Sequence, residues 1–217
     1  LMDVQTLFDN GEFDKVIDLL KDGEPNVNLA FAYQKTKQWE LGMNVWNALL
    51  VKSPENADYY NERGVCKFNL RFKHAIQDFN KAVELEPNNP YFYSCRAYIR
   101  DKIGDTEGSI EDYTKALELD PDDAITLNNL GLAEQKLGYT ARARERFKDS
   151  DDLLGVKSLD TSRYTPSTAD SDLTENGIGP SPKIEKSSQA AKPSLWSEFK
   201  KMLTRDGFKD FWRDLRK

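Results

Sequence analysis

The 217-residue chain carries 31 Lys and Arg against 37 Asp and Glu, a net charge of -6, with 38% hydrophobic and 31% charged residues. This balance excludes a nucleic-acid backbone as the primary partner, because phosphate binding needs a clustered excess of cations, and the hydrophobic share is small for one large central core. Two cysteines, Cys66 and Cys95, are too few for a disulfide scaffold, and no apolar run reaches the roughly 18 to 20 residues of a membrane span. Leu1-Met2-Asp3-Val4 has neither the basic start nor the apolar stretch of an export leader, so a reduced, cytoplasmic protein is expected.

In chain order, residues 1 to 22 read as a clipped helical unit: Gly11, Phe13, Val16 and Leu20 are in place, but both helices are short before Asp22-Gly23. The sequence is expected to begin part-way into a longer chain. From there to residue 155, similar residues recur at a fixed spacing, the mark of a tandem array. Large aromatics stand at Trp46, Phe79, Tyr113 and Phe147, and small residues at Ala30, Gly64, Ala97 and Gly131. A second small series runs Gly42, Ala75, Ser109, Ala143, and Pro54, Pro87 and Pro121 keep the same beat.

Each unit reads as two antiparallel amphipathic helices. In one of them, helical spacing fills Tyr91 to Ile103, Gly104 breaks the run, and Ser109 to Leu119 resumes it before Asp120-Pro121 stops it. The small residues let two helix backbones approach, and the large aromatics fill the gap one turn further on, so both are packing residues. The unit from Ala57 to Asn89 is one residue short around Leu70-Arg71, a deficit the inter-helix turn is expected to absorb.

These motifs resemble the tetratricopeptide-repeat family, whose unit opens Trp-x2-Leu-Gly-x2-Tyr and closes with Ala, aromatic and Pro slots. Leu127-Asn128-Asn129-Leu130-Gly131 and Leu29-Ala30-x2-Tyr33 match the opening, while Arg63-Gly64 and Arg96-Ala97 carry Arg in the leucine slot and Lys67 and Arg100 replace the tyrosine. Ala75-Ile76-x2-Phe79-x2-Ala82-x4-Pro87 and Ser109-Ile110-x2-Tyr113-x2-Ala116-x4-Pro121 match the close. The resemblance covers residues 1 to 152. It implies an all-α tetratricopeptide-repeat superhelix of about four and a half repeats, with a partial repeat over 1-22 and four over 23-155. Such a solenoid buries its apolar surface between neighbouring helices, which accounts for the modest hydrophobic content.

No residue pattern points to catalysis. His74 is the single histidine, in a helix-initiating segment beside Ala75, and Cys66 and Cys95 are far from any CxxC spacing. Gly177-Ile178-Gly179 has no strand before it and no helix after it, so it is not a phosphate cradle. Asp120, Asp122 and Asp123, like Asp149, Asp151 and Asp152, sit in inter-helix turns where carboxylates favour the helices that follow. A non-enzyme without metal or cofactor is expected.

The resemblance implies ligand contact on a concave face lined by the first helix of each repeat. Phe31, Val65, Tyr98 and Leu132, one residue after each small position, fall on that face; Val27, Asn61, Ser94 and Asn128 lie four before them, and Phe68, Tyr91 and Ile125 complete an apolar stripe edged by amides and a hydroxyl. Such a stripe suits a peptide, with amides for its backbone and apolar positions for its side chains; alternatively, some members contact the preceding repeat. Chaperone-tail receptors of this family hold a carboxylate with a clamp of Lys, Asn and Arg. The matching positions here are Val27, Phe31, Glu62, Tyr91 and Cys95, or Asn61, Val65, Cys95, Ile125 and Asn129, and neither set has a cation. An Hsp70 or Hsp90 tail receptor is therefore not expected.

Residues 156-193 hold seven Ser, four Thr, four Pro and two Gly and read as a flexible linker. In 194-217 an amphipathic helical tail is expected, with Leu195, Trp196, Phe199, Met202 and Leu203 on one face, Phe208, Phe211, Trp212 and Leu215 on another, and a break near Asp206-Gly207 that brings the faces together. The tail carries seven cations and four anions, against nineteen and twenty-eight in residues 1-155. Docking of Trp196, Phe199, Leu203, Phe208, Phe211 and Trp212 back onto the array, or capping of its end, is the leading expectation. An anionic membrane surface, a homodimer or an external protein remain as alternatives. Together these readings make the chain a protein-binding scaffold or adaptor with a protein or peptide partner, the alternatives being a membrane-surface adaptor anchored by the tail and an accessory subunit of an enzyme complex.

Overall fold

The computed structural model describes residues 3-155. The linker and the tail, with Trp196, Phe199, Leu203, Phe208, Phe211 and Trp212, lie outside the described residues. Among the described residues the fold is all-α: α1 (Val4–Asp9), α2 (Phe13–Leu20), α3 (Val27–Lys35), α4 (Trp39–Lys52), α5 (Ala57–Asn69), α6 (Ile76–Leu85), α7 (Pro90–Lys102), α8 (Thr106–Leu119), α9 (Ala124–Lys136) and α10 (Thr140–Leu154). The chain divides into two compact units between Glu86 and Pro87.

In the first unit α3 packs on α4, α4 on α5 and α5 on α6; in the second, α7 packs on α8, α8 on α9 and α9 on α10. The pairing of small with large residues sets the spacing within hairpins. A Cβ added at Gly64 would stand 2.8 Å from the Phe79 ring, and one added at Gly131 would stand 2.8 Å from the Phe147 ring. Ala30 shares a core cluster with Trp46, and Ala97 shares another with Tyr113, Leu117, Leu127 and Leu130.

Every first helix ends in the same turn. Gly11, Lys37, Arg71, Gly104 and Gly138 all have positive φ. In each turn two amides fold back onto the last helical carbonyls: the Gly104 N–H donates to Asp101 O at 3.2 Å and the Asp105 N–H to Arg100 O at 2.9 Å, and the Arg71 N–H to Phe68 O at 3.0 Å and the Phe72 N–H to Lys67 O at 2.9 Å. This is the Schellman arrangement, which glycine fits without cost. Lys37 and Arg71 adopt it with φ of 60 and 62, at roughly 1 to 2 kcal/mol each.

The missing residue of the third unit is not absorbed by this turn, which keeps its full set of bonds. α4, α8 and α10 start two residues after Lys37, Gly104 and Gly138, but α6 starts five after Arg71. The deficit removes the first α-turn of the second helix and leaves three-residue bonds, Ala75 N–H to Phe72 O at 3.1 Å and Asp78 N–H to Ala75 O at 3.2 Å. α6 accordingly has 10 residues, against 14 in α4 and in α8 and 15 in α10.

The first helices also share a start. Asn26, Asn56, Asn89 and Asp123 are their N-caps, with side-chain oxygens accepting from the N–H groups of Leu29, Tyr59, Tyr91 and Ile125 at 3.0, 3.1, 3.2 and 3.0 Å. Among the second helices only α8 has such a cap, Asp105 accepting from the Gly108 N–H at 3.0 Å; Glu12, Gln38, Ala75 and Tyr139 make none.

Candidate functional site

The residues expected on the ligand face lie on α3, α5, α7 and α9. In the first unit Val27, Phe31, Val65 and Phe68 keep part of their surface accessible. Phe31 also stands edge-on to Trp46, ring centroids 5.1 Å apart, and both Phe31 and Val27 pack against the Trp46 cluster. Asn61 corrects the expectation. It is 0% exposed, and its Nδ2 donates to Glu62 Oε1 at 3.1 Å. Gln34 Nε2 donates to both the backbone oxygen and Oε2 of Glu62 at 3.2 Å, so the Gln34 amide ties α3 to α5, and the Asn61 amide lies in that interior instead of edging a surface.

In the second unit Tyr91, Ser94, Tyr98, Ile125 and Asn128 are partly accessible, and Leu132 is 44% exposed. The Ser94 hydroxyl is engaged with Thr126 Oγ1 at 2.8 Å, joining α7 to α9. Lys102 Nζ sits 5.1 Å above the Tyr98 ring, and Lys136 Nζ donates to Asp101 Oδ1 at 2.9 Å. The face in this unit is therefore apolar and aromatic, with the Asn128 amide among its members and lysines placed by neighbours.

Burial pushes the Cys66 thiol far above its ordinary range, which keeps it from acting as a nucleophile. His74 is exposed. Among the described residues there is no group of three or more His, Cys, Asp or Glu that could hold a metal ion, and no helix long and apolar enough to cross a membrane.

Sequence reasoning registered the cations at Arg63, Lys67, Arg96 and Arg100 but not what they do. Arg63 clasps Asp78 through Nε and Nη2, both at 2.8 Å, and Lys67 reaches the same carboxylate at 2.9 Å. One repeat on, Arg96 clasps Asp112 through Nε and Nη2 at 2.8 and 2.7 Å, with Arg100 Nη1 at 3.2 Å. Asp78 and Asp112 are 5% and 4% exposed. In α9–α10 the polarity is reversed: Glu134, 1% exposed, comes from the first helix, and Arg142 and Arg146 come from the second at 3.5 and 3.8 Å. The signal was present in the sequence as an Asp immediately before Phe79 and before Tyr113, and as an Arg before Phe147.

Family models described as tetratricopeptide repeat match residues 57–89 and 79–111, and one described as TPR repeat matches 99–138. No curated protein matches the chain in sequence. Among solved structures, a crystal structure of MamA is 21% identical over 71% of this chain and 96% of its own, with a TM-score of 0.60. MamA from Desulfovibrio magneticus RS-1 is 19% identical over 71% of this chain and 93% of its own, with a TM-score of 0.61. YrrB, described as a TPR protein with an unusual peptide-binding site, is 18% identical over 70% of this chain and 83% of its own, with a TM-score of 0.54. At these identities the likeness is one of fold.

Proposed function

Because the chain belongs to the tetratricopeptide-repeat family, we propose that it is a non-enzymatic interaction scaffold that takes a peptide or helical segment of another protein on the first-helix face of its repeats. The observation that carries this reading is the division of labour on α7 and α9. Phe92, Ala97, Leu127 and Leu130 are buried in the core, while Tyr91, Tyr98, Ile125 and Leu132 keep accessible surface, with the Asn128 amide beside them. Apolar side chains accept those of a peptide, and an amide meets its backbone in either polarity. The fold neighbour described as having a peptide-binding site supports the same ligand class.

The charge contrast between residues 1-155 and 194-217 supports a tail that returns to the array and competes with the ligand. A coil of the linker's length spans about 35 Å, enough for the return. The identity of α10 supports an arm over a further repeat: Arg144 and Asp151 occupy the positions at which α8 presents Ile110 and Leu117 to its neighbour. The basic aromatic composition of the tail also supports a second reading, attachment to an anionic membrane surface.

The test is affinity purification with the whole chain, the Tyr98→Ala/Leu132→Ala variant and the chain ending at residue 193. We expect the double variant to lose its partners with its helical melt unchanged, and the shortened chain to gain them. Unchanged partners in the double variant overturn the groove reading, and equal sets with and without the tail overturn competition by the tail.

A further inference from the structure

The charged slots inside the hairpins pose a question that stability does not answer. A buried ion pair is often replaceable by apolar residues of similar volume at no loss, and this chain contains that replacement: at the positions of Arg96, Arg100 and Asp112, the α3–α4 hairpin carries Leu29, Tyr33 and Val45, the first two buried and the third packed against the same cluster. The ionic version must therefore supply something that the apolar version does not.

We propose that the reversal of polarity between the two slots of the second unit specifies which of its first helices pairs with which of its second helices. Apart from charge, the hairpins of the second unit differ in packing chiefly at one slot, Ala97 in α7 and Gly131 in α9. Ala97 opposite Tyr113 and Gly131 opposite Phe147 present similar small and large surfaces, and both first helices end in the same glycine turn, at Gly104 and Gly138. Turn geometry alone would let α7 accept α10, or α9 accept α8, within one chain during folding or between two copies exchanging hairpins, and packing resists only the first of these, through the Ala97 Cβ against the Phe147 ring.

Charge forbids both exchanges. Pairing α7 with α10 would bury Arg96 and Arg100 against Arg142 and Arg146 with no carboxylate between them, and pairing α9 with α8 would bury Glu134 against Asp112. Within the second unit only the native assignment gives each interior slot one carboxylate and two cations; α5–α6 shares the polarity of α7–α8, so the reversal sets α9–α10 apart. Leaving like charges buried and uncompensated costs far more than the native pairs contribute, so the slot acts chiefly by penalising the wrong partner.

Two full-length variants test this. Arg96→Leu/Arg100→Tyr/Asp112→Val places the α3–α4 residues in α7–α8, and Glu134→Arg/Arg146→Asp gives α9–α10 the polarity of α7–α8 while keeping an opposite pair. Each is unfolded in urea and diluted back at several protein concentrations; light scattering after size exclusion reads the monomeric fraction, and circular dichroism reads the melt. The expected result is a several-fold rise in dimers and larger species that grows with concentration, in the triple variant without a fall in melting temperature. Recovery of monomer equal to wild type in both variants overturns the proposal. So does a lowered melting temperature with an unchanged monomeric fraction, which would make the slots a stability element only.

Discussion

The hairpins α7–α8 and α9–α10 each set a buried carboxylate against two arginines, with opposite polarity, and they hold it differently. Arg96 grips Asp112 with two parallel hydrogen bonds of 2.8 and 2.7 Å. Glu134 meets its arginines only at 3.5 and 3.8 Å, and among the described residues neither Glu134 Oε2 nor Arg146 Nε has a hydrogen-bond partner. The comparison separates two quantities that a count of ion pairs merges. Burial removes hydration from both carboxylates, but only the bidentate geometry of the first pair replaces it with charge-assisted hydrogen bonds. In keeping with this, burial raises the pKa of Glu134, its largest influence, against the opposing pull of Arg146 and Arg142.

Breaking the tight pair has the largest expected effect. Asp112→Ala leaves Arg96 and Arg100 partly buried without their carboxylate and is expected to cost about 3 to 5 kcal/mol, read as a fall in urea midpoint; a loss comparable to that at an exposed site would show that the pair is solvated. A smaller effect comes from the packing beside the loose pair. Gly131→Ala drives a Cβ to 2.8 Å from the Phe147 ring and is expected to cost about 1 to 3 kcal/mol, whereas Ala97 already occupies that slot opposite Tyr113. An unchanged melt in Gly131→Ala would mean that the ring shifts freely.

The smallest effect, and the one that isolates Glu134, is a change of pH slope. A carboxyl whose pKa rises on folding binds its proton more tightly in the folded chain than in the unfolded one. Its penalty is therefore present at neutral pH, is relieved as pH falls through the folded value, and is gone below the ordinary value of 4.5. Glu134→Gln removes that dependence, so the stability of the variant relative to wild type should decline on acidification from neutral pH. A difference that stays constant, or grows, would show that Arg142 and Arg146 govern the carboxyl instead of burial.

Much of this architecture was legible in the spacing of residues. The small and large series mark the helix crossings because backbone approach depends on side-chain volume, a local property that repeats with the unit. Gly104 marked its hairpin bend, and the one-residue deficit marked the bend at Leu70-Arg71; the left-handed conformation of Lys37 and Arg71 escaped because it is imposed by the helices on either side and not by the residue itself. The shortening of α6 escaped for a related reason, since the Schellman bonds hold their geometry and pass the deficit to the helix that follows. Of the residues that the family resemblance placed on the expected ligand face, Tyr98 and Leu132 keep accessible surface, whereas Asn61 is buried beside Glu62, which Gln34 binds across from α3. The partners of Arg63 and Arg96 lie 15 and 16 residues away across a turn, a separation that helical periodicity does not connect.

The uneven distribution of helix caps bears on how the hairpins breathe. Each of α3, α5, α7 and α9 begins with a side chain that occupies one of its leading amides, whereas α2, α4, α6 and α10 begin bare. The residue just before a second helix is also the one whose N–H closes the preceding turn, as at Gln38 and Tyr139, so chain continuity places that end without a cap but leaves its first helical amides unbonded. Local opening should therefore start at the leading turns of the second helices. In deuterated solvent the first amides of α4 and α10 would exchange ahead of those of α5 and α9, and α8, secured by Asp105, would be the slow member of its class.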